Sequence, residues 1–306
     1  MKPSVTPLRY PGGKTWLLGY VRKFIEFHKL ESLTVIEPYA GSASISIGLL
    51  NNNIVDRAYL CEKDPLIVAF WNAILKHNDE LVESLRLLEV SLDTWHSFKK
   101  YLSREAAEKF NIQDLALAFL FYNRANFSGI INAGPLGGKK QISQYKIDCR
   151  FNKERLVKKI KKLGEFTDRI QVVLGDGVQF MKSTLSSSDI DNLFFYVDPP
   201  YYNAGKVLYR HYFTEKDHTD LSDFLKSLDS PWLLSYDDSE IIKSLYRANT
   251  TSPVYTDYQS GHFKKGVKEL LISNRLIPPF SPEVSYDKQA SKNKLSVIDK
   301  LECNII

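Results

Sequence analysis

The stretch Phe194-Phe195-Tyr196-Val197-Asp198-Pro199-Pro200-Tyr201 constrains the chain more than any other. Its aromatic and β-branched residues read as a buried strand. The two prolines end it, because neither has an N–H for the ladder and each fixes φ. The strand therefore stops at Asp198. In an open α/β sheet the carboxyl end of a strand is where ligands sit, and this one delivers a carboxylate, a rigid turn with outward carbonyls and a flat ring. A loop carrying a chance Asp-Pro-Pro-Tyr is the alternative, and the rest of the chain decides between the two.

Upstream, strand and helix alternate. Pro11-Gly12-Gly13-Lys14 is a turn leading into an amphipathic helix from about Thr15 to His28; it lacks the spacing of a P-loop. Leu33 to Glu37 is a short apolar strand, followed by the small-residue turn Pro38-Tyr39-Ala40-Gly41-Ser42-Ala43-Ser44 and a helix from Ile45 to Leu50. That succession opens a Rossmann-like fold, and the absence of Gly-x-Gly-x-x-Gly argues against NAD or FAD. Arg57 to Glu62 reads as the second strand, ending in an acid about 20 residues beyond the first turn, where it can accept from both ribose hydroxyls. Asp64 caps the next helix with Pro65 at its first position.

Between Asp79 and Leu120 the alternation gives way to helical pieces, read as an inserted, mostly helical subdomain over 76–164. Within it Asn123, Arg124 and Asn126 sit among aromatics, residue types that stack on bases or bind their edges. The loop that follows carries Asn132, Lys139, Lys140, Tyr145 and Lys146, then a basic helix with Lys158 and Lys159. From Lys139 to Arg169 there are eleven Lys/Arg against four Asp/Glu, so the modest formal charge of +5 is concentrated in one segment. A solvated helix with a long loop is the plainer reading. Aromatics, Arg/Asn and charge together favour contact with nucleic acid.

Strands then resume at Ile170 to Leu174, which ends in Gly175-Asp176, and at Pro231 to Tyr236 and Val267 to Ser273, the last two separated by a helix and a polar loop. The catalytic domain is expected over 1–75 and 165–280, with a C-terminal tail from 281 to 306. Three distant cysteines, Cys61, Cys149 and Cys303, show neither disulfide nor zinc spacing. With no leader-like apolar segment at the N-terminus, a cytoplasmic protein is expected.

Three strand ends thus meet at one crevice: Glu37 to Gly41, Glu62 and Asp176. A small-residue turn, a ribose acid and a carboxylate able to bond an adenine amino group describe a site for an adenosine without pyrophosphate, which S-adenosylmethionine fits. Asp198 and the Pro199 carbonyl, both accepting from an exocyclic amine, would orient its lone pair at the methyl group. Tyr201 would stack on the base once it is flipped out.

On these motifs the sequence resembles the DNA adenine methyltransferase (Dam) family, from Pro7-Leu8-Arg9-Tyr10-Pro11-Gly12-Gly13-Lys14 through Glu37-Pro38-Tyr39-Ala40-Gly41 and Asp198-Pro199-Pro200-Tyr201 to Lys268-Glu269-Leu270-Leu271-Ile272-Ser273-Asn274. The resemblance implies a Rossmann-like S-adenosylmethionine-dependent methyltransferase fold of the α/β class with an inserted target-recognition subdomain. It implies sequence-specific methylation of adenine N6 in double-stranded DNA. A cognate restriction endonuclease is a possible partner. Cofactor contacts are implied for Tyr10, Pro11, Gly12, Lys14, Glu37, Pro38, Tyr39, Ala40, Gly41, Glu62, Asp176 and Asp198. Catalysis falls to Asp198, Pro199, Pro200 and Tyr201, and DNA contacts to Arg9, Arg124 and the loop after it. Two departures stand out: Tyr39 and Ala43 replace the family's Phe and second Gly of the cofactor loop, absorbable unless Ala43 needs a positive φ. The loop also lacks the arginine that GATC-specific relatives place near Asn132, so GATC does not carry over as the target. Cytosine N4 methylation and a catalytically silent DNA-binding protein are the alternatives; Asp ahead of Pro-Pro favours adenine.

Overall fold

A computed structural model of the chain describes residues 6–9, 13–103, 105–186, 192–203, 205, 210–260, 263–279 and 295–296. Tyr10, Pro11 and Gly12, three expected cofactor contacts, lie outside the described residues, as does most of the tail.

Eight strands form one sheet: β1 (Thr34–Glu37), β2 (Arg57–Glu62), β3 (Ile170–Leu174), β4 (Leu193–Val197), β5 (Trp232–Asp237), β6 (Thr250–Ser260), β7 (Phe263–Ser273) and β8 (Leu295–Ser296). Their order is β3-β2-β1-β4-β5-β7-β6-β8. The first five in that order run parallel, and β7 enters antiparallel between β5 and β6. The chain builds outward from β1 in one direction and from β4 in the other, so the topological switch point lies between β1 and β4, where an open α/β sheet leaves its ligand crevice.

At the centre of the sheet both faces are covered, so β1, β4 and β5 are buried along nearly their whole length. Along β4, Phe194 and Tyr196 join the core under the helices Leu18–Phe27, Ser44–Asn51 and Pro65–Lys76, while Leu193, Phe195 and Val197 join the opposite core under Gly177–Leu185, Glu215–Lys226 and Glu240–Leu245. The period of two across a strand makes this division. The inserted helices are not cored separately. Leu85 of Asn78–Leu87, Phe119 of Ile112–Ala125 and Ile160 of Lys153–Gly164 belong to the same buried cluster as Val35 and Phe194. Asn78 stitches the two parts together, its Nδ2 donating to Ile74 O and Ile160 O, each at 2.9 Å.

Two elements were not foreseen. The polar loop expected after residue 247 is largely β6, paired with β7 from Thr250↔Ser273 to Ser260↔Phe263. Its residues are mostly Thr, Ser, Tyr and Asp, and its backbone pairs with β7 along its whole length. Pro253 is tolerated because β8 pairs only at Tyr255 and Thr256. The second is the helix Glu215–Lys226, which opens on a capping box: Thr214 N donates to Asp217 Oδ2 at 2.7 Å and Thr214 Oγ1 accepts from Asp217 N at 3.3 Å. After β7 the chain returns along Leu18–Phe27, where His28 Nε2 meets Leu276 O at 2.8 Å. Among the described residues no helix is long and apolar enough to cross a membrane.

Candidate active site

The crevice opens where the switch point places it, and Glu37, Tyr39, Glu62, Asp176 and Asp198 all line it. Its void is about 850 Å3 when the open solvent at its mouth is counted.

The turn after β1 is shaped by backbone and buried donors. Ala40 N donates to Cys61 O at 3.0 Å, Gly41 N donates to Glu62 Oε2 at 3.0 Å, and the indole of buried Trp71 donates to Gly41 O at 3.0 Å. Ala43 has φ 45° and ψ 34°, the left-handed region that costs an alanine roughly 1–2 kcal/mol. The departure from glycine is therefore not free. Ala43→Gly is expected to raise stability by about 0.5–1 kcal/mol, after allowing for the extra entropy of the unfolded chain. A thermal melt checks this, and a lowered Tm would mean that the buried Cβ contributes more than the backbone conformation costs.

Glu37 ends β1 buried, its Oε2 accepting from Ser46 N at 3.2 Å and from Ser46 Oγ. Burial, against those hydrogen bonds, pushes its carboxyl up to about 8. Glu62 is tied to the main chain through both oxygens, Oε1 accepting from Lys63 N at 2.8 Å and Asp64 N at 3.1 Å. Burial raises it to about 6, while the Asp64 and Gly41 N–H groups hold it down. A carboxylate oxygen has two acceptor directions; Oε1 has both taken and Oε2 has one, so one direction on Oε2 is left to accept from a ribose hydroxyl. Asp176 Oδ1 accepts from Val178 N at 3.0 Å and Gln179 N at 3.1 Å, capping Gly177–Leu185. Asp64 caps its own helix through Leu66 N at 3.0 Å. Acids and the apolar Ile67 and Tyr39 line the same crevice, a mixture that suits an adenosine's polar edge and flat apolar face.

At the end of β4, Asp198 Oδ1 accepts from Lys14 Nζ at 2.8 Å and from Ser235 Oγ at 2.9 Å. Lys14 is 1% exposed and donates also to Tyr201 OH at 2.8 Å. Tyr201 OH donates in turn to Glu269 Oε1 at 2.9 Å. Burial alone would lower the Lys14 ammonium, but the carboxylates of Asp198 and Glu269 outweigh it and hold the pKa well above its ordinary value. Beyond the prolines, Asp237 fixes the turn: Oδ1 accepts from Tyr202 N at 2.8 Å and Oδ2 from Asn203 N at 3.0 Å. Pro200 lines the crevice and Pro199 is buried. Tyr201, expected to stack on a base, is 9% exposed, with the Lys14 ammonium 4.9 Å from its ring centroid. Ser235, Asp237 and Glu269 went unread in the sequence, although a polar or acidic residue inside an otherwise apolar strand is a legible signal. The segment Arg210–Phe213 at the crevice lip was also missed; it carries no motif.

A profile of the D12 class N6 adenine-specific DNA methyltransferases matches residues 10–259. The chain belongs to that family. It is 21% identical over 262 residues to the type II methyltransferase M.CviBI of Paramecium bursaria Chlorella virus NC1A, covering 85% of this chain and 90% of that protein. Among solved structures, M. capricolum TrmK in complex with S-adenosyl-homocysteine superposes with a TM-score of 0.37 at 13% identity, covering 85% of this chain and 68% of the other. A putative RNA methyltransferase from Pyrococcus horikoshii gives 0.38 at 12%, covering 89% and 88%. At these scores the strand order itself carries the fold assignment. The resemblance read from the motifs is borne out, and as an adenine-specific DNA methyltransferase the protein uses S-adenosylmethionine as methyl donor.

In this methyltransferase the residues expected at DNA divide in two. Asn123 and Asn126 are buried, and their amides pair inside the protein, as buried amides must. Asn123 Nδ2 donates to Arg9 O at 2.6 Å while its Oδ1 accepts from Arg9 N at 2.8 Å. Asn126 Oδ1 accepts from Trp95 Nε1 at 2.8 Å, and its Nδ2 donates to Ile131 O at 2.8 Å. Arg124 turns its guanidinium on Arg150 O at 2.9 Å and Pro7 O at 3.4 Å, Arg9 Nη1 reaches Asn126 O at 3.4 Å, and Lys159 Nζ reaches Thr6 O at 2.7 Å. Arg124, Arg155 and Lys159 line one small cleft whose walls hold no acid. Burial, Arg155 and Arg124 together pull Lys159 down to about 8. Asn132, Lys139, Lys140, Tyr145, Lys146 and Lys158 are exposed, and so are Phe127 and Ile142 of the same loop region.

Proposed function

We propose that the protein transfers the methyl group of S-adenosylmethionine to the N6 amino group of an adenine within a defined sequence of double-stranded DNA. The observation that carries this is Asp198, a carboxylate held by Ser235 and Lys14 at the mouth of the crevice that Glu37, Glu62 and Asp176 also line. When bound, the cofactor supplies an electrophilic methyl on a sulfonium. Glu62 holds the ribose and the turn around Gly41 fixes the donor's position. An exocyclic aromatic amine is a poor nucleophile because its lone pair is delocalised into the ring. Asp198, with the Pro199 carbonyl, accepts from the amine, pyramidalises it towards the methyl and stabilises the charge that grows on nitrogen. Tyr201, bonded to Lys14 and Glu269, helps to hold the Lys14 ammonium that meets Asp198.

The exposed basic loop and the acid-free cleft support a duplex partner, since uncompensated Lys and Arg attract phosphates. Residues 76–164 are, on this reading, the target-recognition part, with specificity in the loop from Phe127 to Arg150. The likeness to a type II methyltransferase supports a restriction-modification setting, with an endonuclease that reads the same sequence. The test is direct: the protein is incubated with labelled S-adenosylmethionine and double-stranded DNA lacking adenine methylation, and the product nucleosides are identified. N6-methyladenine is expected, confined to one sequence. Label in N4-methylcytosine, or no label from a folded, cofactor-binding preparation, overturns the reading.

A further inference from the structure

The second buried carboxylate of the Asp198 network has no part in the reaction as described so far. Glu269 lies on β7, paired across β5 with Asp237, and is 1% exposed. Its Oε1 accepts from Tyr201 OH at 2.9 Å, while its Oε2 makes no hydrogen bond and stands 3.5 Å from Lys14 Nζ. Lys14 is thus shared by two acids, Asp198 at 2.8 Å and Glu269 at 3.5 Å. Pairing Lys14 needs only one of them. A further buried carboxylate is costly unless something requires it.

We infer that Glu269 is a positioning residue for methyl transfer: by offsetting Lys14 it leaves Asp198 with an uncompensated negative charge to meet the amine. This rests on the adenine reading of Asp198 given above. In the transfer, the N6 lone pair forms the new N–C bond, the C–S bond breaks with its electron pair going to sulfur, and a proton then leaves nitrogen for water. No net charge is created; positive charge moves from sulfur to N6, towards Asp198. A Lys14–Asp198 pair on its own is neutral and draws that charge weakly. With Glu269 the buried cluster carries one net negative charge, in surroundings where water screens little. Around the cluster, burial foremost holds the Tyr196 and Tyr236 phenols well above their ordinary range and pushes Glu37 up to about 8, and Asp237 is engaged by the turn after Tyr201.

The test is single-turnover methylation at saturating cofactor and duplex DNA. Glu269→Gln is expected to slow transfer about 10²-fold, the scale of losing one preorganised electrostatic contact, with cofactor and DNA affinity unchanged. Glu269→Asp, which keeps the charge, recovers most of the rate. The decisive arm is the double variant Lys14→Met with Glu269→Gln, which restores the net negative charge and is expected to run about tenfold faster than Glu269→Gln alone. A purely structural role predicts the opposite, since the double variant removes more contacts. Wild-type rate in Glu269→Gln, or a double variant no faster than that single one, overturns the inference. Both results are read against wild-type protein already shown to form N6-methyladenine, which separates this failure from failure of the adenine reading.

Discussion

Asp198→Ala is expected to lower single-turnover methyl transfer by roughly 10³-fold or more while the protein stays folded. Losing one preorganised contact in an active site costs on the order of 10²–10³, and this substitution removes both the acceptor that orients the amine and the charge that stabilises its product. Folding should survive because Asp198 sits at a strand end with 21% of its side chain exposed, and Lys14 keeps Glu269 and Tyr201 as partners. Asp198→Asn separates the two contributions: its carbonyl can still accept from the amine, so it should retain more activity than alanine while lacking the charge. Alanine activity within tenfold of wild type would remove Asp198 from the chemistry.

The second large effect is predicted at Gly177, the first residue of the helix capped by Asp176. A Cβ there would lie 2.5 Å from Tyr39 Cε1 and 2.9 Å from Pro38 O. The ring cannot swing away easily, since Phe213 packs edge-on against it at 5.4 Å. Gly177→Ala therefore pushes the cofactor turn out of place, costing about 1–3 kcal/mol of stability and more than tenfold in affinity for S-adenosylmethionine. Gly175 is the control, because a Cβ at that position has Cys61 Sγ at 3.9 Å as its nearest neighbour. Calorimetric titration of both variants decides the matter. Equal affinities for Gly177→Ala and Gly175→Ala would show that the Tyr39 contact does not shape the cofactor site.

The strand ends were legible because they obey short-range rules. Apolar runs stopped by proline, an acid or small residues announce β1, β2, β3 and β4, and Asp64-Pro65 announces a helix start through its own cap. What escaped was set by neighbours distant in sequence. β6 is held by pairing with β7, so its polar residues give little periodic signal, and Ser235 and Glu269 acquire meaning only when β5 and β7 bring them beside Asp198. The asparagines of the insert misled for a related reason. Composition cannot tell an amide aimed at a base edge from one that pairs with Arg9 or Trp95, and burial decides between them. Glu215–Lys226 is different: Thr214-Glu215-Lys216-Asp217 states its capping box openly, so this helix start is legible from local sequence alone.

The buried cluster that runs unbroken from the sheet into the inserted helices has a bearing on how such an enzyme diversifies. The inserted helices and the sheet cannot be exchanged as separate modules here, because cutting between them would open a shared core. The loop beyond Asn126 escapes this constraint. Asn123, Asn126 and Arg124 pin its base to the body of the protein with main-chain contacts that ask nothing of the loop's own side chains. Its exposed residues can therefore change in sequence without disturbing that shared core.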